Sequence, residues 1–110
     1  MKQTDWQTWS VIATWQVAPE HPALTGHFPG HPVVPGALLL DRAVRAAERH
    51  AGRTVAQVRE ARFQRAVAPG AVLELRLLAA PSSVRFALAE AAPAPAALVA
   101  SGTLILDGAR

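Results

Sequence analysis

Hydrophobic and polar residues alternate along the first part of the chain, between Thr8 and Val17, with Ile12 as the one exception. The apolar side of this alternation consists of Trp9, Val11, Ala13, Trp15 and Val17. A period of two residues is typical of a strand with one buried face. The sequence therefore predicts a first strand over residues 8–17, with its tryptophans facing a core.

The pattern changes to a helical period after a stretch rich in proline and glycine that ends at Gly36. Apolar residues then recur three and four positions apart, which is the spacing of one helix face. The apolar stripe consists of Leu40, Ala43, Val44 and Ala47. Gly52 is a typical residue just past a helix end. We therefore predict a helix over residues 36–50, with Asp41 and Arg45 off the apolar stripe.

Further strands are predicted after the helix, because apolar runs are separated there by short turns of proline, glycine and serine. The predicted runs cover residues 58–67, 71–79, 84–90 and 98–106, and the Ala/Pro-rich run 91–97 reads as a loop. One helix and an antiparallel sheet bury both of their apolar faces if the sheet wraps around the helix. The sequence thus predicts a single α+β domain over residues 1–110.

Composition narrows the protein class. Hydrophobic residues make up 51% of the chain and charged residues 17%, which favours a globular domain over a disordered one. The absence of cysteine excludes disulfides, thiolate nucleophiles and thiolate metal ligands, and it fits a cytoplasmic location. The start of the chain lacks the features of a secretory signal, and the longest uncharged stretch is too short to cross a membrane. We therefore expect no membrane association.

Positive charge is concentrated in one region. Seven arginines lie between Arg42 and Arg65, against only Glu48 and Glu60, although the net charge of the chain is only +3. This region is either a solvated basic face or a docking surface for an acidic partner. Nucleic acid is the weaker candidate for that partner, because lysine is nearly absent and no nucleic-acid-binding motif is present.

The segment from Gly26 to Gly36 carries the most specific motif, Gly-His-Phe-Pro-Gly-His-Pro-Val-Val-Pro-Gly. Its density of proline and glycine leaves the loop few conformations, so that it can hold polar groups rigidly. Asp41 follows His27 by fourteen positions and lies on the predicted helix. A second block runs from Arg62-Phe63-Gln64-Arg65 to Pro69-Gly70.

These blocks resemble the 3-hydroxyacyl-[acyl-carrier-protein] dehydratases of the FabA/FabZ type, over about residues 20–108. The resemblance implies a hotdog fold, in which an antiparallel sheet wraps around one long central helix. It also implies a homodimer or a higher even oligomer, with the histidine and the carboxylate of each site on opposite chains. The substrate would be carried on the 4'-phosphopantetheine of an acyl carrier protein, and no other cofactor and no metal are expected.

The chemistry of dehydration needs the residue types found here. A base must remove a proton next to the thioester carbonyl, and neutral histidine suits that step near pH 7. An acid must protonate the departing hydroxyl, which a carboxyl group held in its protonated form does. By the resemblance, His27 is the base, Asp41 is the acid and the backbone N–H of Gly36 polarises the carbonyl.

The resemblance also indicates residues that contact the substrate. They are Phe28, Val33, Phe63, Arg62 and Arg65. The Val33 carbonyl would orient His27, and the two phenylalanines line an acyl tunnel or pack in the core. The two arginines meet the phosphopantetheine phosphate or the carrier protein, unless they are solvated edge charges.

Two departures from the family pattern keep other functions open. Most short dehydratases of this type have glutamate where this chain has Asp41, and Arg45 replaces a frequent glutamine. An arginine at i+4 can pair with Asp41, which favours the ionised carboxylate and opposes its use as an acid. The alternatives to a dehydratase of fatty-acid or polyene-type pigment synthesis are a hotdog acyl thioesterase and a non-catalytic partner subunit of a heterodimeric dehydratase.

Overall fold

The computed structural model describes residues 5–17 and 34–108. Its elements follow in the order 3₁₀ helix Trp6–Thr8, β1 Ser10–Gln16, α1 Gly36–Ala51, β2 Val55–Phe63, β3 Val72–Ala79, β4 Ser83–Glu90 and β5 Ala97–Leu106. The predicted order of one strand, one helix and four strands is confirmed, and the helix begins at the predicted residue.

The five strands form one antiparallel sheet in the order β1-β3-β4-β5-β2. The first two strands along the chain, β1 and β2, are therefore its two edges. The helix α1 packs against one face of this sheet, which we call the inner face, and the opposite face is the outer face. This is the arrangement of a hotdog fold, which the family resemblance implied.

The main core lies between α1 and the inner face. Ala43 and Ala47 of the helix are fully buried, and their small side chains allow close approach to the sheet. The largest buried side chains of the sheet are Leu73, Leu75, Phe86, Leu88 and Leu104. Leu39 is buried while Leu40 is only partly buried, so the buried stripe is rotated slightly from the predicted one.

Local signals determine both ends of the helix. Pro35 is the N-cap residue, with the extended backbone that proline favours. Gly52 follows the helix in a left-handed conformation, and its N–H donates to the carbonyl of Glu48 over 2.8 Å. The side chain of Glu48 accepts a bond of 2.8 Å from the N–H of Val55, which connects the end of the helix to the start of β2.

The predicted position of β2 was wrong by several residues. The strand was expected over residues 58–67 but covers 55–63. Its pairing with β5 is irregular between Val55 and Gln57 and again between Val58 and Glu60. Each bulge adds a residue that shifts the alternation of side chains, so a strict period of two does not locate the strand.

The predicted buried side of β1 was also wrong in part. The pairing of β1 with β3 shifts between Val11 and Ala13, which turns Ile12 toward the core and leaves Val11 48% exposed. Trp9 precedes the strand and packs with Trp6 on the outer face. The bulge explains why Ile12 interrupted the alternation in the sequence.

A smaller apolar cluster covers the middle of the outer face. Trp6, Ala87 and Ala89 are its buried members, and Trp9 and Leu98 pack against them. Arg76 holds the 3₁₀ helix in place. Its guanidinium stacks 5.5 Å from the Trp6 ring centroid, pairs with Glu74 over 2.6 Å and donates to the carbonyl of Gln7.

Candidate functional site

The start of α1 presents backbone N–H groups that have no side-chain cap. Leu38 and Leu39 are the first donors of the helix, and both donate to the Pro35 carbonyl, over 3.1 and 3.3 Å. Pro35 supplies no side-chain cap bond. The N–H groups of Gly36 and Ala37 precede these first helical bonds. Such groups, at the positive end of the helix dipole, are suited to an oxygen that carries negative charge.

A cavity of about 340 Å³ opens beside this helix start. Its lining residues are Val34, Gly36, Leu39, Phe63, Gln64, Arg65, Ala66 and Val67. A hydrogen bond of 2.9 Å from the Val34 N–H to the Val67 carbonyl connects the segment before the helix to the segment that follows β2. The structure thus brings together three of the predicted site residues, which are Gly36, Phe63 and Arg65.

The backbone of Gly36 lies close to the ring of Phe63. A Cβ atom at position 36 would lie 3.3 Å from the Phe63 ring. Phe63 itself is 46% exposed, although the register pairs it with Ala100, which lies on the inner face. The ring is therefore a wall of the cavity in this chain and not part of the closed core.

Asp41 lies on the same helix but outside this cavity. Five residues separate it from Gly36, which corresponds to about 140° around the helix axis. Its side chain is 52% exposed, and its Oδ2 atom pairs with Nε of Arg45 over 2.9 Å. The ion pair expected from the i,i+4 spacing is thus confirmed. The carboxyl faces solvent on the crest of α1, the side of the helix that points away from its own sheet.

The remaining predicted site residues are not at this cavity. His27, Phe28 and Val33 lie outside the described residues. Arg62 points from the outer face, where it pairs with Glu60 over 2.8 Å and lines a separate cavity. Arg65 remains near Gly36, and its guanidinium lies 3.7 Å from the carboxylate of Glu90.

Sequence reasoning missed five residues of the cavity wall, which are Val34, Leu39, Gln64, Ala66 and Val67. The helical pattern in the sequence placed Leu40 on the buried stripe of α1. In the structure that stripe is rotated slightly, so that Leu39 is buried instead. Gln64 lay inside the block that carried the family resemblance, between Phe63 and Arg65. Its backbone N–H donates to the carbonyl of Val99 over 2.7 Å, so it continues the pairing of β2 with β5 for one more residue.

Residues 5–17 and 34–108 leave the flank of the molecule next to this site uncovered. β2 is an edge strand, and Val58 is 39% exposed although it pairs with Leu104 of the core. Leu40 and Val44 of α1 are only partly buried. Exposed apolar groups along an unpaired strand edge are typical of a surface where another chain binds.

The described residues form neither a metal-binding cluster nor a membrane-spanning helix. Over residues 5–17 and 34–108, no three His, Asp or Glu side chains come together as a metal-binding group. No helix in those ranges combines the length and the apolar character required to cross a bilayer. The loop histidines His21, His27 and His31 lie outside the described residues.

Comparison with known proteins adds a family and a set of relatives. The sequence model of the ApeI-like family, described as ApeI dehydratase, matches residues 2–103. The curated 3-hydroxyacyl-[acyl-carrier-protein] dehydratase FabZ of Lactiplantibacillus plantarum is 35% identical over 77 residues, which are 62% of this chain and 52% of that protein. The chain therefore spans about half the length of the curated relatives it matches.

Solved structures of similar fold were also found. An uncharacterized protein from Erwinia carotovora subsp. atroseptica has a TM-score of 0.72 and 29% identity, covering 84% of this chain and 78% of that one. The dehydratase heterocomplex ApeI:P from Xenorhabdus doucetiae has a TM-score of 0.69 and 20% identity, covering 84% and 82%. At that identity, the second likeness supports the fold alone.

Proposed function

The chain belongs to the ApeI-like dehydratase family, and from that premise we propose that it dehydrates a 3-hydroxyacyl thioester to the trans-2-enoyl thioester. The observation that carries the proposal is the uncapped start of α1 at Gly36. It opens into a cavity beside Phe63, five residues before a carboxylate. The pathway we propose is fatty-acid or polyene-type pigment synthesis in the cytoplasm.

The proposed reaction uses three groups of the chain. His27 takes a proton from the carbon next to the thioester carbonyl, and the electrons of that C–H bond form the new double bond. The C–O bond at the next carbon breaks, and Asp41 gives its proton to the departing hydroxyl, which leaves as water. The N–H of Gly36 donates to the carbonyl oxygen while negative charge develops on it.

The proposed active assembly contains two chains. The exposed apolar residues Val58 and Phe63 on β2, and the partly buried Leu40 and Val44 on α1, support a partner on this flank. The partner would supply the His27 that faces Asp41, and it would exclude water from the acid. Arg45 would then have to leave Asp41 before the carboxyl can act as a proton donor.

Purified protein and a 3-hydroxyacyl thioester of N-acetylcysteamine, which needs no carrier protein, test the reaction. We expect the ultraviolet absorbance of the enoyl thioester to appear, and to be lost in His27→Ala and in Asp41→Asn. His50→Ala and Asp107→Asn are the matched controls, because both side chains are exposed and lie away from the cavity. Thiol release without enoyl product would instead identify a thioesterase.

A variant at Arg45 separates the chemical role of Asp41 from its ion pair. Arg45→Gln removes the pair but keeps the carboxyl, whereas Asp41→Asn removes both. We expect Arg45→Gln to retain turnover of the carrier-free thioester or to increase it. Equal loss in both variants would show that the ion pair matters and would contradict the role of Asp41 as acid.

One observation favours a second candidate function, that of a non-catalytic partner subunit. The Asp41 carboxylate is paired with Arg45 at 2.9 Å, so it is engaged by a side chain of its own helix. In that case the chain alone is inactive and becomes part of an active assembly only with another hotdog chain. A stably active homodimer, measured by light scattering and by the enoyl assay on the same sample, excludes this candidate.

A further inference from the structure

A groove between α1 and β1 concentrates positive charge on the side of the helix away from β2. It has a volume of about 400 Å³. Its lining residues are Arg42, Arg45, Ala46 and Arg49 of the helix and Ala13, Thr14 and Trp15 of the strand. The three arginines recur at i, i+3 and i+7, the spacing that places side chains along one face of a helix. Among the described residues, no carboxylate lines the groove.

The three guanidinium groups are held differently. Arg42 stacks over the ring of Trp15, 4.9 Å from its centroid. Arg45 also lines the groove but pairs with Asp41 on the crest of the helix. Arg49 is exposed, and within the described ranges it has no ion pair or hydrogen bond. The groove therefore offers a stacked cation that is fixed in position and a second cation that is available to an anion.

The location of the groove suits a docking role. Assembly through β2 would leave it open, because β1 is the opposite edge of the sheet. Along the helix axis, the rise from Gly36 is about 9 Å to Arg42 and about 20 Å to Arg49, distances comparable with the length of an extended phosphopantetheine arm. A partner docked here can thus present a substrate at the start of α1.

We propose that this groove docks the acidic face of the carrier protein that bears the acyl substrate. Carboxylates of the partner and the phosphodiester of its arm would meet Arg42 and Arg49, since guanidinium groups bind both with paired hydrogen bonds. The inference rests on the proposed dehydratase function. It moves the docking role from Arg62 and Arg65 to α1, because each of those arginines already faces a carboxylate of its own chain.

Titration with a bacterial holo acyl carrier protein tests the docking without requiring turnover. We expect Arg49→Gln to weaken binding about threefold and Arg42→Gln/Arg49→Gln about tenfold, with a flatter dependence on salt. Gln7→Glu is the control for Arg49→Gln. This substitution also changes the net charge by one unit, and Gln7 is an exposed residue of the 3₁₀ helix, away from the groove. Unchanged affinity in both arginine variants overturns the proposal.

Further measurements distinguish the docking proposal from the proposed dehydratase function and from binding of other anionic ligands. Turnover of the carrier-free thioester should be the same in Arg49→Gln as in the wild type. If the wild type dehydrates no thioester, the proposed function fails while the titration still decides the docking. If a short DNA duplex or anionic phospholipid vesicles bind through these arginines more tightly than the carrier protein does, the docking proposal is wrong.

Discussion

The two edge strands of the sheet differ in how far the chain itself covers them. On β1, three side chains pack on the main core, which are Ile12, Ala13 and Trp15. On β2, Val55 packs there, whereas Val58 and Phe63 remain 39% and 46% exposed although they pair with core residues of β5. Both strands contain bulges, so irregular pairing alone does not explain the difference.

The contrast assigns different roles to the two flanks of α1. The β1 flank is closed by Trp15 and lined by arginines, which suits contact with a charged partner that binds and leaves. The β2 flank is apolar and open next to the start of the helix, which suits a lasting contact between chains. Covering the β2 flank would also remove water from the candidate site.

The largest expected effect comes from a charge on the open edge. Val58→Asp should leave the chain monomeric and inactive, since a buried carboxylate at an interface costs several kcal/mol. Val11→Asp is the matched control, because Val11 is 48% exposed on the other edge strand. Light scattering gives the mass of each variant. If Val58→Asp still assembles and Val11→Asp does not, the roles of the two edges are reversed.

The second largest effect is expected on kcat, from a substitution at the start of α1 beside β2. Gly36→Pro removes the N–H while keeping a residue that is favoured at the first helical position. We expect kcat to fall about 100-fold, the usual effect of removing one oxyanion donor. Gly36→Ala is the control, because it adds the same Cβ beside Phe63 but retains the N–H. Equal kcat values in the two variants would mean that this amide does not stabilise the transition state.

Removing one aromatic ring from each edge strand compares how much the packing of β1 and that of β2 contribute to the free energy of unfolding. Trp15→Ala should lower the free energy of unfolding by about 2 kcal/mol, because the indole packs on the core and stacks with Arg42. Phe63→Ala should cost less than about 1 kcal/mol in the Val58→Asp background, where no partner covers the ring. Urea denaturation measures both. Equal losses would show that the isolated β2 edge is as well packed as β1.

The smallest effect is expected at the Asp41–Arg45 pair, which lies on the crest between the two flanks. Both side chains are more than half exposed, so the pair should contribute only about 0.3–0.5 kcal/mol. Arg45→Gln should therefore change the melting temperature by a degree or two at most. A much larger loss in thermal unfolding would indicate that Arg45 has a structural role.

Local chemistry made much of this fold predictable. Pro35 and Gly52 determine the helix ends through backbone preferences that are visible in the sequence. The bulges in β1 and β2 were not predictable, because they depend on pairing with distant strands. The same holds for Trp9, whose position on the outer face depends on contacts made by the 3₁₀ helix.

The candidate site was predictable to the extent that it lies on consecutive residues. The helix position of Gly36 and the pairing of Asp41 with Arg45 follow from spacing along one element. Spacing along the chain does not predict the side of the sheet on which Arg62 lies. One bulge in β2 moves every residue after it to the opposite face. The roles assigned to His27, Phe28 and Val33 remain predictions.

The sheet order has a consequence for biosynthesis. The only sheet neighbour of β2 within the described residues is β5, which begins more than thirty residues later along the chain. During translation β2 therefore remains without its pairing strand until residues 97–106 have left the ribosome. The wall of the cavity at Phe63 is therefore among the last parts of the described fold to be completed, and until then the apolar groups of β2 are open to chaperones and to neighbouring nascent chains.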